Sequence, residues 1–223
     1  GTQGLAALTF WFGTLFAEQI RAEQKSFPFL EIVGEAGSGK TTLIEFLWKL
    51  LGRADYEGFD PSKSTAAARA RNFARVGAIV ISQNNPVDAS EAVMTRIMHL
   101  TFSRDTQTPE SRRAAKALEQ TPLATVSAFI LAAARKQQAI MDIVRERTGR
   151  YQDELLQQPG IITVRIAKCH GQLMALADAL RLVVGLSDQQ ALALRQQITT
   201  MAAARQQANA AAPPLVAEFW ATF

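Results

Sequence analysis

The stretch GEAGSGKTT, Gly34 to Thr42, has the residue types and spacing of a phosphate grip. It fits G-x-x-x-x-G-K-[ST], with Gly34, Gly39, Lys40 and Thr41 on the fixed positions and Gly37 as an extra glycine. Glycines let such a loop turn its backbone N–H groups inward around phosphates, and the helix that follows offers the positive end of its dipole to the same anion. The expected contacts of a nucleoside triphosphate are therefore Gly34, Glu35, Ala36, Gly37, Ser38, Gly39, Lys40, Thr41 and Thr42. Lys40 should reach the β and γ phosphates, and the Thr41 hydroxyl should ligate Mg²⁺.

The motif carries meaning only between a strand and a helix, and both are legible. Phe29 to Val33 is a compact apolar run interrupted only by Glu31. Leu43, Phe46, Leu47 and Leu50 recur at helical spacing, which predicts a helix from Thr42 to Leu51 that Gly52 stops. A second strand is expected at AIVIS, Ala78 to Ser82, which ends in the polar group QNN and then Pro86. Its apolar character suits a central strand of a parallel sheet, so its C-terminal end should emerge beside the phosphate loop and aim a polar side chain at the γ phosphate.

Three regions separate by composition. Residues 1–26 predict a helix, about Leu5 to Lys25, packed on the core. Residues 27–104 hold the phosphate loop and its continuation, with a further helix expected from Thr65 to Val76 that Arg69, Arg71 and Arg75 make basic. Residues 105–223 read as a helical bundle or lid. Helix starts there are marked by Thr108 before Pro109, Thr121 before Pro122, and Ser187 with Gln190 as a capping box. The run from Gln197 to Ala212 fits either an outgoing helix or a soft linker, closed by Pro213 and Pro214. His170 falls on an apolar stripe with Ile166, Leu173, Ala177, Leu180 and Val184, where a buried, hydrogen-bonded imidazole is the reading, without a catalytic role.

Composition sets bounds. Of 223 residues 48% are apolar, ample for a buried core, and the net charge of +4 permits nucleic acid as a partner without demanding it. Cys169 is the sole cysteine, which excludes an intrachain disulfide and fits a cytoplasmic setting. The apolar stretch Gly4 to Ala17 is too short to span a bilayer and runs into EQIRAEQK, so no membrane partner is expected. Gly1 is not a natural start and Phe223 no obvious ending, which leaves room for the chain to be a fragment of something longer.

A phosphate-loop strand and helix, then a strand ending in an Asn-containing polar group beside a Pro, then a helix carrying an arginine and the phrase RIMHLTF, is similar to AAA+ ATPases. GEAGSGKTTLIEFLWKL, FDPSKSTAAARARNFARV and ISQNNPVDASEAVMTRIMHLTF resemble more closely the superfamily 3 type helicase modules of toprim-associated primase-helicase proteins from phages, plasmids and genomic islands. The resemblance covers about Phe27 to Phe102. It implies an α/β P-loop NTPase fold, a parallel sheet flanked by helices with a helical C-terminal region. It also implies ATP with Mg²⁺ as cofactors, DNA as partner, and a homo-oligomeric ring, a hexamer.

By this resemblance Asn84 matches the sensor position that orients the attacking water, with Gln83 and Asn85 as fallbacks. Arg96 matches an arginine finger delivered across a subunit boundary, with Arg104 in reserve. Arg165 is a further candidate, a lid arginine over the phosphates. Lys63, Arg69, Arg71 and Arg75 are candidates for DNA phosphates, with a solvated helix face as the plain alternative.

One part is missing. Such ATPases need an acid at the end of a strand neighbouring the phosphate-loop strand. Between Lys40 and Asn84 the acids are Glu45 inside a helix, and Asp55, Glu57 and Asp60 in a polar loop. A degenerate, binding-only site, recruitment of Asp60 from the loop, or a piece of chain missing near Val76 and Gly77 would each account for this. The missing piece is the favoured reading. The function implied is an ATP-dependent DNA helicase or translocase module; the alternative is a nucleotide-binding switch or assembly platform with little or no hydrolysis.

Overall fold

The computed structural model describes residues 1–54, 78–87 and 89–211. The expected helix from Thr65 to Val76, the basic residues Lys63, Arg69, Arg71 and Arg75, the loop acids Asp55, Glu57 and Asp60, the junction of Val76 with Gly77, and the Pro213–Pro214 pair lie outside these residues.

Three parallel strands form the centre in the order β2–β1–β3, with β1 at Phe29–Gly34, β2 at Val80–Gln83 and β3 at Ile97–Phe102. The phosphate-loop strand is thus the middle one. Its register sets Leu30 beside Val80 and Met98, Glu31 beside Ile81 and His99, and Val33 beside Gln83 and Thr101. Because side chains alternate along a strand, Leu30, Ile32, Met98 and Leu100 share one buried face, and Glu31 and His99 share the other.

Helices cover both faces. On the apolar side α1 (Thr2–Thr14) meets α3 (Lys40–Leu50) through an edge-on pair of Trp11 and Trp48, 5.2 Å between ring centroids, with Ile44, Leu47 and Leu50 buried behind it. The expected single N-terminal helix is two. Phe16, at φ −116° and ψ 7°, breaks the chain between α1 and α2 (Ala17–Gln24), and Lys25 ends α2 in the left-handed region at φ 62°. The break lets α1 bury Phe10 and Phe12 while α2 turns Ala17 and Ile20 inward.

After the short α4 (Glu91–Met94) and β3 the described chain is helical: α5 (Pro109–Gln120), α6 (Leu123–Val126), α7 (Ala128–Arg135), α8 (Gln137–Leu156), α9 (Val164–Leu180) and α10 (Asp188–Ala211). Thr108 caps α5 through a reciprocal pair with Ser111, and Ser187 pairs with Gln190 in the same way before α10. The Gln- and Ala-rich run is helix as far as Ala211. α9 is buried along nearly its whole length and lies backbone to backbone with α8. A Cβ on Gly171 would sit 2.9 Å from the Gln152 amide nitrogen and 3.1 Å from the Thr148 carbonyl oxygen, so glycine is required there.

Asp178 ties α8, α9 and α10 together. It accepts from Arg147 at 2.6 Å, Tyr151 Oη at 2.5 Å and Arg195 at 3.0 Å. Burial pushes its carboxyl up, but the hydrogen bonds from Tyr151, Arg147 and Arg195 outweigh that and hold it below the usual carboxylate range. A depressed folded-state pKa contributes stability above the unfolded value, lost as pH falls through the folded one. Asp178→Asn should therefore cost about 1–3 kcal/mol at pH 7, and the gap from the parent should shrink below about pH 4. Urea unfolding at pH 7 and pH 3 checks both.

Among the described residues no single helix is long and apolar enough to cross a membrane.

Candidate nucleotide site

The loop between β1 and α3 lies at the C-terminal edge of the sheet. With the tip of β2 it lines a cleft of about 470 Å³, walled by residues 35–42 and by Ser82, Gln83 and Asn84. Gly37 and Gly39 take φ of 78° and 92°, in the left-handed region where a side chain is strained. Gly34 is needed for a different reason. The end of β3 crosses it so closely that a Cβ would fall 2.1 Å from the Phe102 carbonyl oxygen.

The loop is held open from outside. Arg104, in the 3₁₀ turn after β3, donates from Nε to the Ala36 carbonyl at 2.7 Å and lies 3.4 Å from the Glu35 carboxylate; Gln107 donates to the Gly37 carbonyl at 2.7 Å. A trans peptide points its N–H away from its carbonyl, so fixing the Ala36 carbonyl outward sends the Gly37 N–H the other way. α3 begins on Gly39 with no side-chain cap, which leaves first-turn amides for an anion. Ser38 Oγ is buried and without a partner. Lys40 is only 9% exposed, and its ammonium donates to the Gly34 carbonyl and to the Glu35 carbonyl at 2.9 Å. These donors, gathered at one mouth, suit the phosphate chain of a nucleotide. Thr41 is exposed and lines the cleft.

Asn84 extends from the tip of β2, and its Oδ1 lies 3.4 Å from Lys40 Nζ. Of the three polar residues before Pro86, Asn84 thus faces the loop and Asn85 is exposed, while Gln83, also on the cleft wall, places Nε2 3.2 Å from Glu31 Oε1.

Arg96 is elsewhere. It precedes β3, and its carbonyl accepts from the Phe29 amide at the N-terminal edge of the sheet. The six residues of β3 separate that edge from the cleft by roughly 20 Å. Its guanidinium folds back on the Ala92 carbonyl. Within one chain it does not reach the cleft. RIMHLTF is strand β3 from Ile97 onward rather than part of the arginine-bearing helix, since α4 stops at Met94. Arg104, the reserve finger, buttresses its own chain's loop.

Arg165 is exposed in the first turn of α9 and is not among the described residues that line the cleft. Burial drives the Cys169 thiol up to about 11. His170 is 1% exposed, with Nδ1 2.8 Å from the Ile166 carbonyl, and burial lowers its pKa to about 4, so it is neutral at pH 7.

Neither strand beside β1 ends in an acid: β2 runs into Gln83 and Asn84, β3 into Ser103 and Arg104. Among the described residues, Glu35 and Glu119 bring carboxylates to the loop and its helix. Glu35 pairs with Arg104, and Glu119 of α5 accepts from Thr42 Oγ1 at 3.0 Å. Lys49 of α3 donates to the Glu119 and Thr121 carbonyls at 2.7 and 3.3 Å, which docks the end of α5 on α3. The sequence carries no local signal for Glu119, since it stands 77 residues from Thr42.

No family model matches the chain, and no curated protein matches it. A solved structure described as "SCCmec type IV Cch - active helicase" superposes with a TM-score of 0.63 over 92% of this chain, at 10% sequence identity. The chain spans 48% of that protein, about half its length. The fold is a mixed α/β one, with a small parallel sheet among many helices, shared with a helicase.

Proposed function

We propose that the chain is the ATP-driven motor module of a DNA helicase or translocase from the replication machinery of a mobile element, working as a homo-oligomeric ring. The observation that carries this is the placement of Asn84 3.4 Å from Lys40, on the strand next to the phosphate loop. A loop that only linked strand to helix has no use for an amide held over its lysine.

ATP with Mg²⁺ is the ligand this cleft suits. Loop amides and Lys40 would hold the phosphates, Thr41 would hold the metal, and Asn84 would orient water toward the γ phosphate. Bound Mg²⁺ would supply charge neutralisation on the transferring phosphoryl group. Arg96, on the far edge of its own sheet, can serve only a neighbour's cleft, which is what supports a ring, with a hexamer as the proposed size. The fold shared with a protein described as an active helicase supports the motor, and DNA as its substrate, over a small-molecule kinase.

One observation favours a second reading. No acid ends either strand beside β1, so the chain as it stands suits a nucleotide-binding switch or assembly platform. We assign the acid of the motor to chain missing near Val76 and Gly77. Steady-state ATP hydrolysis by the full-length protein, with and without single-stranded DNA, separates the two. The motor is expected to turn over and to be stimulated by DNA in a salt-sensitive way. ATP binding without turnover on any DNA would make the switch the correct reading.

A further inference from the structure

The middle strand of a buried parallel sheet calls for an apolar residue at position 31. It holds a glutamate instead, with 0% exposure. A buried ion pair is weak ground for stability, since an apolar replacement of similar volume is often neutral or better. Some other role must keep this carboxylate.

Its two oxygens divide the surroundings. Oε1 accepts from Gln83 Nε2 at 3.2 Å and from the Val87 backbone N–H. Oε2 meets His99 Nδ1 of β3 at 2.8 Å and the Arg205 guanidinium of α10 at 3.6 Å. Gln83 and Val87 flank Asn84. The residues between them, Asn84, Asn85 and Pro86, are exposed and form a turn rather than strand or helix. Arg205 is 5% exposed, its Nε is buried without a partner, and its guanidinium pairs with Glu31.

We infer that Glu31 is a positioning residue: one oxygen of its carboxylate anchors the turn that carries Asn84 to the phosphate loop, and the other ties that turn to α10 through Arg205. This rests on the reading of the cleft as a nucleotide site. Glu31 touches no nucleotide itself; it acts through Asn84.

The test uses the full-length protein, a non-hydrolysable ATP analogue and ADP, each with Mg²⁺, titrated by calorimetry. The parent is expected to prefer the ATP analogue. Asn84→Ala should lose about tenfold of that preference, the size of one charge-assisted hydrogen bond. Glu31→Leu, which removes the oxygen that accepts from Gln83 and Val87, should lose the same, and the double variant no more than either alone. ADP affinity should hold in all three, which a merely loosened fold would not allow.

Full preference in Glu31→Leu, or losses that multiply in the double variant, overturn the inference. Equal affinity of the parent for both ligands sinks the role of Asn84 and this inference, and leaves the phosphate loop standing. No affinity for either sinks the nucleotide site itself. Should Glu31→Leu fail to fold, hydrogen exchange on the parent decides: the Val87 amide should exchange slowly for a loop position, and exchange at the rate of an open loop overturns the anchor.

Discussion

Lys40→Ala should abolish measurable ATP hydrolysis, a loss of at least about 10²-fold in kcat from removing one preorganised donor, with nucleotide affinity falling alongside. The geometry explains the size of the effect. The ammonium is nearly enclosed, bonded to the Gly34 and Glu35 carbonyls and within 3.4 Å of Asn84. Those carbonyls are partners a phosphate can replace at little cost, because the ammonium leaves weak neutral acceptors for charged ones.

Lys40→Arg should not rescue activity, since a planar guanidinium does not fit where a compact ammonium is held between two carbonyls. The fold should survive Lys40→Ala, with thermal unfolding close to the parent's, because the bonds lost lie within the loop itself and at the tip of β2. Hydrolysis assays paired with nucleotide titration make the check. Parental rates from Lys40→Ala would refute the assignment of this loop as the site of chemistry.

Arg96→Ala should remove about 10³–10⁵-fold of turnover if its guanidinium stabilises the transferring phosphoryl group. The decisive experiment is a mixture. Arg96 lies at the N-terminal edge of the sheet and the cleft at the C-terminal edge, so the two cannot meet in one chain. Mixing Arg96→Ala with Lys40→Ala creates interfaces in which an intact cleft faces an intact arginine. Partial recovery of hydrolysis on mixing, from two proteins each inactive alone, is the expected result. Full activity in Arg96→Ala would exclude the finger. Inactivity without recovery on mixing would show that Arg96 matters within its own chain, through its bond to the Ala92 carbonyl of α4.

Much of the cleft is legible in the amino-acid sequence. The phosphate loop is local: nine consecutive residues carry its glycines, lysine and threonine, and the apolar runs on either side declare strand and helix by period alone. The strands and helix lie within two residues of their expected bounds, at Phe29–Gly34, Val80–Gln83 and Lys40–Leu50. Asn84 is within reach of such a reading because it follows a strand whose apolar character places its tip beside the loop.

Strand β3 is harder to see. IMHLTF mixes apolar residues with His99 and Thr101 directly after a helical turn, and what makes it a strand is its pairing with β1, a contact between residues 68 apart for Glu31 and His99. The N-terminal helix reads as continuous because its first half is apolar and Gly13, three residues before the break at Phe16, is a residue that helices tolerate.

The phosphate grip, the parallel character of the strands and the helical C-terminal half follow from local pattern, because backbone turns, dipoles and hydrophobic period act over a few neighbouring residues. Tertiary structure alone assigned Arg104 and Gln107 to the loop carbonyls, Arg96 to the opposite edge of the sheet, and Glu119 to Thr42. It alone turned Glu31, an interruption in an apolar run, into the meeting point of Gln83, Val87, His99 and Arg205. The reason is physical: a buried carboxylate is tolerable only where donors converge on it, and these donors come from chain positions up to 174 residues away, which no local pattern can encode.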